Sequence, residues 1–378
     1  MAITGCESHG GLGIADRKRR WEEFLRPGSA PGFMFLIRLG MPEAPPCPAL
    51  WPEFRRERLE WIWQDYEAHR VRAEWLHDDL VPALKMLTGT EIFAEAFGCA
   101  VHRPTDNMPF ALPLIHSPAD VSRVRVPELS QSSLAYLFEM ADELSRRAGP
   151  EAAFRMVDVQ SPMDIAALVM EKSAFLTALL DAPEAVRELA DKTRQLLAAF
   201  LDEWFRRYGS GFVAHFPDYY MPRGITLSED EVGVVNGDMF VEFFLPHLNA
   251  LSDRYGGIGM HCCATARHQW EHFKRIRGLR ILNLCQPRET TVEAYREFAP
   301  HCAQMHANIA TGPVATWPAQ YPPGARVVLE FGAQTREEAV ATAASLNDYR
   351  RNNESSADNR RARGVIRSSR NGTWQRVD

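Results

Sequence analysis

The chain has 378 residues, 46% of them hydrophobic and 24% charged, with a formal net charge of −6. That length permits two or three domains, but α/β barrels often use about 250 residues or more as one. Acidic and basic residues are interspersed, which argues against a nucleic-acid surface with its basic patch, and no stretch approaches the roughly 18 consecutive apolar residues of a membrane span.

Residues 1–30 read as a mobile entry segment, with Gly10-Gly11, the basic run Arg17-Lys18-Arg19-Arg20, and then Pro27 to Pro31. A single (β/α) barrel domain is expected over 31–349. Its first strand is 32–38, a nearly continuous apolar run of the kind that parallel strands covered on both faces show. A proline-rich link follows (Pro42, Pro45, Pro46, Pro48, Pro52), and 54–87 has helical spacing, with Asp78-Asp79 read as a pair on a helix surface. Residues 90–98 read as a helix ended by glycine, followed by a loop with Pro104, Pro109 and Pro113 and a helix near 131–148.

From residue 152 the rhythm is regular. Strands are expected at 153–159, 212–216, 257–261, 279–284, 302–306 and 326–331. Helices are expected at 163–180, 183–208, 238–255, 266–276, 292–298 and 335–346. Alternation of this kind means parallel βαβ units. Seven strands are legible and an eighth is not, so closure of the barrel is an inference. Residues 350–378 are rich in Arg, Asn and Ser, and are expected to form a polar, disordered tail. The seven cysteines are odd in number and unevenly spread, which fits reduced thiols in a cytoplasmic enzyme without membrane or nucleic-acid partners.

In a barrel the working residues sit where strands end and loops begin. The strand at 153–159 ends near Asp158, Gln160 and Ser161. The next ends in His215, Asp218 and Tyr219, a base–orienter or substrate-gripping set. The strand at 257–261 ends in His261-Cys262-Cys263, the next in Asn283 and Cys285, and later strands offer His306 and Glu330. His261 and Cys263, two residues apart, place an imidazole and a thiolate on one side of a strand, a donor pair that suits zinc. The third ligand is expected from Cys285, with Cys302, Glu330 and His306 as more remote alternatives. The competing reading makes the cysteines small buried hydrophobes and His261 a core residue. Thr226-Leu-Ser-Glu-Asp-Glu231 reads as an acidic cluster in a long loop, where crowded carboxyls such as Glu229 and Asp230 raise one another's pKa.

The run Met221-Pro-Arg-Gly-Ile-Thr-Leu-Ser-Glu-Asp-Glu231, then Phe244-Leu-Pro246, Tyr255-Gly-Gly257 and His261-Cys-Cys-Ala264, resembles the uroporphyrinogen decarboxylase-like superfamily. Its usual form has an acidic SxDD-like loop and a strand ending in H-x-C-G. Gln160-Ser161-Pro162 matches its Q-x-P. The resemblance implies a (β/α)8 TIM-type barrel. True decarboxylases of that superfamily carry an M-R-Q-A-G-R loop, whereas Phe35-Leu-Ile-Arg-Leu-Gly40 keeps one arginine and a glycine. The closer branch is the corrinoid-linked methyltransferases, which hold zinc through the H-x-C pair and a distant third ligand. His261 and Cys263 match that pair, while Ala264 replaces the glycine and Glu330 lies where a late cysteine is expected.

The resemblance therefore implies a zinc-dependent methyltransferase, with metal ligands His261, Cys263 and Cys285. His215, Asp218, Tyr219, Glu229 and Asp230 would manage protons, and Asp158, Gln160, Asn283 and Arg38 would hold a small-molecule substrate. A corrinoid would sit on a separate partner protein, and a homodimer is a further expectation. The alternative is a metal-free decarboxylase-like lyase acting on a carboxylated aromatic or pyrrolic substrate, and a third is a non-catalytic barrel that binds a ligand.

Overall fold

A computed structural model describes residues 12–40, 45–104 and 107–368; Gly10-Gly11, Pro42 and the chain beyond 368 lie outside the described residues. Among the described residues twelve strands occur in the order β1 (Gly32–Leu39), β2 (Ala83–Lys85), β3 (Val101–His102), β4 (Phe110–Ala111), β5 (Ala153–Arg155), β6 (Phe212–Val213), β7 (Tyr220–Met221), β8 (Ile225–Ser228), β9 (Ile258–Cys262), β10 (Leu279–Leu284), β11 (Ala303–Gln304) and β12 (Arg326–Ala333). Six of them form one sheet in the order β1-β12-β11-β10-β9-β8, and β2-β5-β6-β7 form a second. Every pairing in the larger sheet is parallel. β3 and β4 make a separate antiparallel ribbon. This is an α/β protein, as the alternation of elements predicts.

Among the described residues the strands do not close into one continuous hydrogen-bonded ladder. The hydrogen-bonded ladder has two seams. At one, a lone parallel bridge joins Gln160 to Ser228, with Ser161 N–H donating to the Ser228 carbonyl and Ser228 N–H to that of Val159, each at 2.8 Å. At the other, β1 meets the Asp78-Asp79 segment, where Asp79 N–H donates to the Phe35 carbonyl at 2.9 Å and the two carboxylates complete the junction. The Asp79 carboxylate accepts from Phe35 N–H at 2.9 Å and the Asp78 carboxylate from Ile37 N–H at 3.0 Å. Pro82, with no N–H to donate, stands between this junction and β2. Asp78 and Asp79 are thus buried, not the surface pair expected. Arg72 and Arg350 neutralise them at 2.5 and 2.7 Å.

The strands that sequence patterning missed are the short β2, β3, β4, β7 and β8. Ile225, Thr226, Leu227 and Ser228 are all buried, so the segment read as an acidic cluster in a long loop begins as an inner strand.

Within the N-terminal segment the described residues are ordered into an element. Residues Ile14–Leu25 form a helix that packs on β1 and β7. Trp21 is fully buried and donates its indole N–H to the Asp79 carbonyl at 2.8 Å. Arg17 is buried as well and satisfies the carbonyls of Ala73 and Leu76 at 3.1 and 2.6 Å. The basic run therefore lies within an anchoring helix, with Arg17 turned inward to cap helix and loop carbonyls.

Helix Pro183–Tyr208 matches its predicted span and ends at Gly209 with φ 82°, a left-handed position that glycine fills without strain. The helix expected over 163–180 is two helices, Pro162–Val169 and Lys172–Asp181. Met170 between them bridges to Ile115, and the Glu171 carboxylate caps the second helix through Ala174 N–H at 2.8 Å. The helix expected over 238–255 contains a π-helical turn at Phe240–Phe244 just before Pro246; proline removes one backbone donor, and a widened turn accommodates that loss. The last helix runs Arg336–Ser368, into the segment expected to be disordered. No helix among the described residues is long and apolar enough to cross a membrane. Cys47, Cys99, Cys262, Cys263, Cys285 and Cys302 are all free thiols.

Candidate functional site

Three neighbouring parallel strands set the site. Ser228 of β8 lies level with His261 of β9, which in turn lies level with Asn283 of β10. Side chains alternate along a strand, so His261 and Cys263 share a face while Cys262 turns to the other. Cys262 is fully buried, and burial pushes its thiol well above the ordinary range. Of the two adjacent cysteines, only Cys263 is exposed.

Asp230, His261 and Cys263 bring one ligand atom each to within 4.8 Å of one another. The Asp230 carboxylate accepts from the N–H groups of Cys263 and Ala264 at 2.6 and 3.2 Å and from the Cys263 thiol at 3.2 Å. Burial, with Asp230 alongside, pushes the Cys263 thiol to about 12. A divalent cation between these groups would replace that proton.

His261 is prepared by Asn283. The Asn283 amide nitrogen donates to the Met305 carbonyl, so its oxygen is the atom facing His261 Nδ1 at 2.6 Å. As a neutral ring, His261 then carries its proton on Nδ1 and keeps a free lone pair on Nε2, the arrangement of a metal-ligating histidine held by an outer hydrogen bond. Phe216 packs edge-on against this ring, with centroids 4.8 Å apart. One imidazole nitrogen, one thiol and one carboxylate fit a three-ligand zinc site with an open fourth position. The donor set matches the chemistry of that ion.

The group of ligand atoms that comes together with His261 and Cys263 includes Asp230, where Cys285 is the expected third member. Cys285 lies outside the cluster, its sulfur 3.9 Å from the Asn283 side-chain oxygen. The alternatives do not join either. Cys302 is fully buried, Glu330 pairs with Arg38 at 2.6 Å, and His306 Nδ1 accepts from Leu284 N–H at 3.0 Å.

Asp230, His261 and Cys263 line a cavity of about 370 Å³, together with Thr88, Asp158, Gln160, His215 and Ser228. Burial pushes Asp158 up to about 6, and Gln160 donates to it at 2.5 Å. Burial pushes His215 down to about 3, so its ring is neutral near pH 7. Its Nε2 lies 3.1 Å from the Ser228 hydroxyl and 3.4 Å from Asp158. Its Nδ1 is buried without a hydrogen-bond partner among the described residues. A titratable carboxyl beside an uncharged imidazole can take or return a proton at neutral pH.

A second cavity of about 570 Å³ adjoins the first, and Phe216 and Arg155 line both. It holds Arg38, Asp218, Cys285 and Glu330. Asp218 bridges Arg38 at 2.6 Å and Arg155 at 2.9 Å. Burial pushes its pKa up, but Arg155 and Arg38 outweigh this and hold it below the carboxylate norm. Asp218 is thus fixed as a counter-ion between two guanidinium groups, apart from His215. A larger cavity, about 1140 Å³, lies near residues 20–34 and 318–327 and contains none of the predicted residues.

Two expected catalytic groups face away from the cavities. Tyr219 is fully buried, its hydroxyl 2.9 Å from Thr226 Oγ1 and its ring against Trp21 at 6.5 Å. Burial pushes that hydroxyl upward. A side chain on Gly259 would meet the Tyr219 hydroxyl at 2.0 Å, so this is close-packed core. Glu229 is also fully buried, next to Asp164. Burial and the neighbouring carboxyl push it well above the usual range, and burial lifts Asp164 to about 7.

Sequence reasoning passed over Arg155, Phe216, Ser228 and Asp164. Arg155 looks like one more strand residue, and Asp164 like an ordinary first-turn acid after Ser161-Pro162. Their roles depend on partners 60 or more residues away.

The sequence matches the family described as Uroporphyrinogen decarboxylase (URO-D) over residues 81–299. No curated protein matches it. Among solved structures it is similar to a methyltransferase from Methanosarcina mazei, with TM-score 0.60 and 13% sequence identity over 89% of this chain and 98% of that one. At that identity the likeness is one of fold.

Proposed function

This chain belongs to the uroporphyrinogen decarboxylase family, and on that premise we propose that it is a zinc-dependent methyltransferase built on a (β/α) barrel. It would move a methyl group between a small substrate (a methoxylated aromatic, a methylamine-like compound or a thiol) and a corrinoid or thiol acceptor. The observation that carries the reading is the Asp230–His261–Cys263 cluster in a cavity at the strand ends. A tetrapyrrole decarboxylase needs no such donor set, and the methyltransferase fold match points the same way. The corrinoid would ride on a separate partner protein.

Asp230, His261 and Cys263 would hold the metal, and Asn283 orients the histidine. A zinc ion bound there supplies Lewis-acid chemistry, lowering the pKa of a substrate thiol or polarising a methoxy oxygen. Asp158 accepts the proton that the substrate loses, helped by its position against Gln160 and neutral His215. Phe216 covers the histidine and divides the mouth, and Arg38 and Arg155 bind the polar end of a substrate reaching into the second cavity.

Metal analysis of protein purified without chelator tests this. About one zinc per chain is expected in the wild type, lost in Cys263→Ser and retained in Cys285→Ser and Cys262→Ser. A folded wild type that neither contains zinc nor takes it up on titration would transfer the assignment to a metal-free lyase, with Asp158 as its acid–base group and the two arginines holding substrate carboxylates.

A further inference from the structure

Asp164 is a buried acid that the mechanism above does not use. It sits in the first turn of helix Pro162–Val169, where the Ser161 hydroxyl accepts its N–H at 2.9 Å. An acid at such a position ordinarily faces solvent or caps its own helix. Here the residue is 5% exposed, and its carboxylate reaches across to the chain that leaves β8. One oxygen accepts the N–H of Asp230 at 2.8 Å and the other that of Glu231 at 3.0 Å. These are consecutive backbone donors on the residue that completes the donor cluster and on the residue after it. The Asp230 side chain is aimed the other way, onto the N–H groups of Cys263 and Ala264. The segment is thereby clamped on both sides: its backbone to one helix, its carboxylate to the end of β9.

Burying a carboxylate is costly unless strong partners compensate. Two hydrogen bonds from one short backbone segment are that compensation. We propose that Asp164 is a positioning residue that fixes the Asp230 carboxylate in the donor cluster by gripping the backbone of residues 230–231. The inference rests on the metal reading of the preceding section and assigns the support of its acidic ligand. Outer hydrogen-bond partners of metal ligands typically carry about 10–100-fold in affinity. Asp164→Asn keeps the shape but presents an amide N–H₂ to one of the two donors, so the grip on one N–H is lost.

The test is zinc affinity by competition with a chromophoric chelator for wild type, Asp164→Asn, Asp230→Asn, the double variant and Cys263→Ser. Asp164→Asn should weaken zinc about 10–100-fold in a protein whose circular dichroism matches the wild type, and should add nothing in the Asp230→Asn background, because Asp164 acts through Asp230. Equal affinity of Asp164→Asn and wild type, or an additive loss in the double variant, overturns the proposal while leaving the zinc site standing. A wild type that binds no zinc overturns the metal reading and this role with it. Hydrogen exchange on the metal-free wild type gives a readout that needs no variant to fold. The amides of Asp230 and Glu231 should be strongly protected, and rapid exchange there refutes the clamp.

Discussion

Asn283→Leu removes the acceptor of the His261 Nδ1 proton while keeping a side chain of similar volume. In the native arrangement the 2.6 Å contact to the Asn283 oxygen selects the tautomer with Nε2 free. Without it, a buried N–H is left unsatisfied, at a cost of about 1–3 kcal/mol. The ring can escape that cost by moving its proton to Nε2, which then has no lone pair for a metal. Either route taxes zinc binding by a similar amount, so affinity should fall about 10–100-fold. Zinc competition against a chelating dye measures it directly, with circular dichroism confirming the fold. Asn283→Asp retains an acceptor and should bind zinc within about threefold of the wild type or more tightly, since a carboxylate is a stronger acceptor for the ring N–H. If the leucine variant binds zinc as well as the wild type, the tautomer argument is wrong and His261 is not the ligand.

Two further outcomes follow from burial. Asp158 has a folded pKa of about 6 against 3.8 for the free side chain. A raised carboxyl pKa means that ionisation costs the folded state. The cost is absent below the unfolded pKa, grows as pH rises from about 4 to 6, and is complete above that. Asp158→Asn should therefore raise unfolding free energy at pH 7 by up to about 3 kcal/mol and leave it nearly unchanged at pH 4; urea titrations at the two pH values that show no such difference would refute the assignment. Trp21→Ala should cost about 3–5 kcal/mol in the same assay, because the indole is fully enclosed and leaves the Asp79 carbonyl without its donor. A loss under about 1 kcal/mol would mean that helix Ile14–Leu25 is only loosely attached.

The alternation of apolar runs and helical periods from residue 152 onward was enough to read an α/β protein with parallel strands, and helix Pro183–Tyr208 was legible from its proline and its glycine. His261 and Cys263 were legible because two-residue spacing on a strand places both side chains on one face, whatever the rest of the chain does. Local pattern also misled. A basic run looks solvated until tertiary contacts show carbonyls waiting for Arg17, and a four-residue strand such as β8 is too short to declare itself between a glycine and three acids.

That Asp230 joins His261 and Cys263 was beyond reach for the same reason. Cys285 is the donor suggested by residue type and strand order, but strand register brings Ser228 level with His261 and so delivers Asp230 to Cys263. Tyr219 and Asp218 are adjacent in sequence yet point to opposite sides, one into packed core against Gly259 and one between two arginines. Composition and periodicity determine which elements form and which face of each is apolar, because those depend on near neighbours. Which carboxyl meets which thiol depends on the lateral register of strands 30 or more residues apart, and only the folded chain decides that.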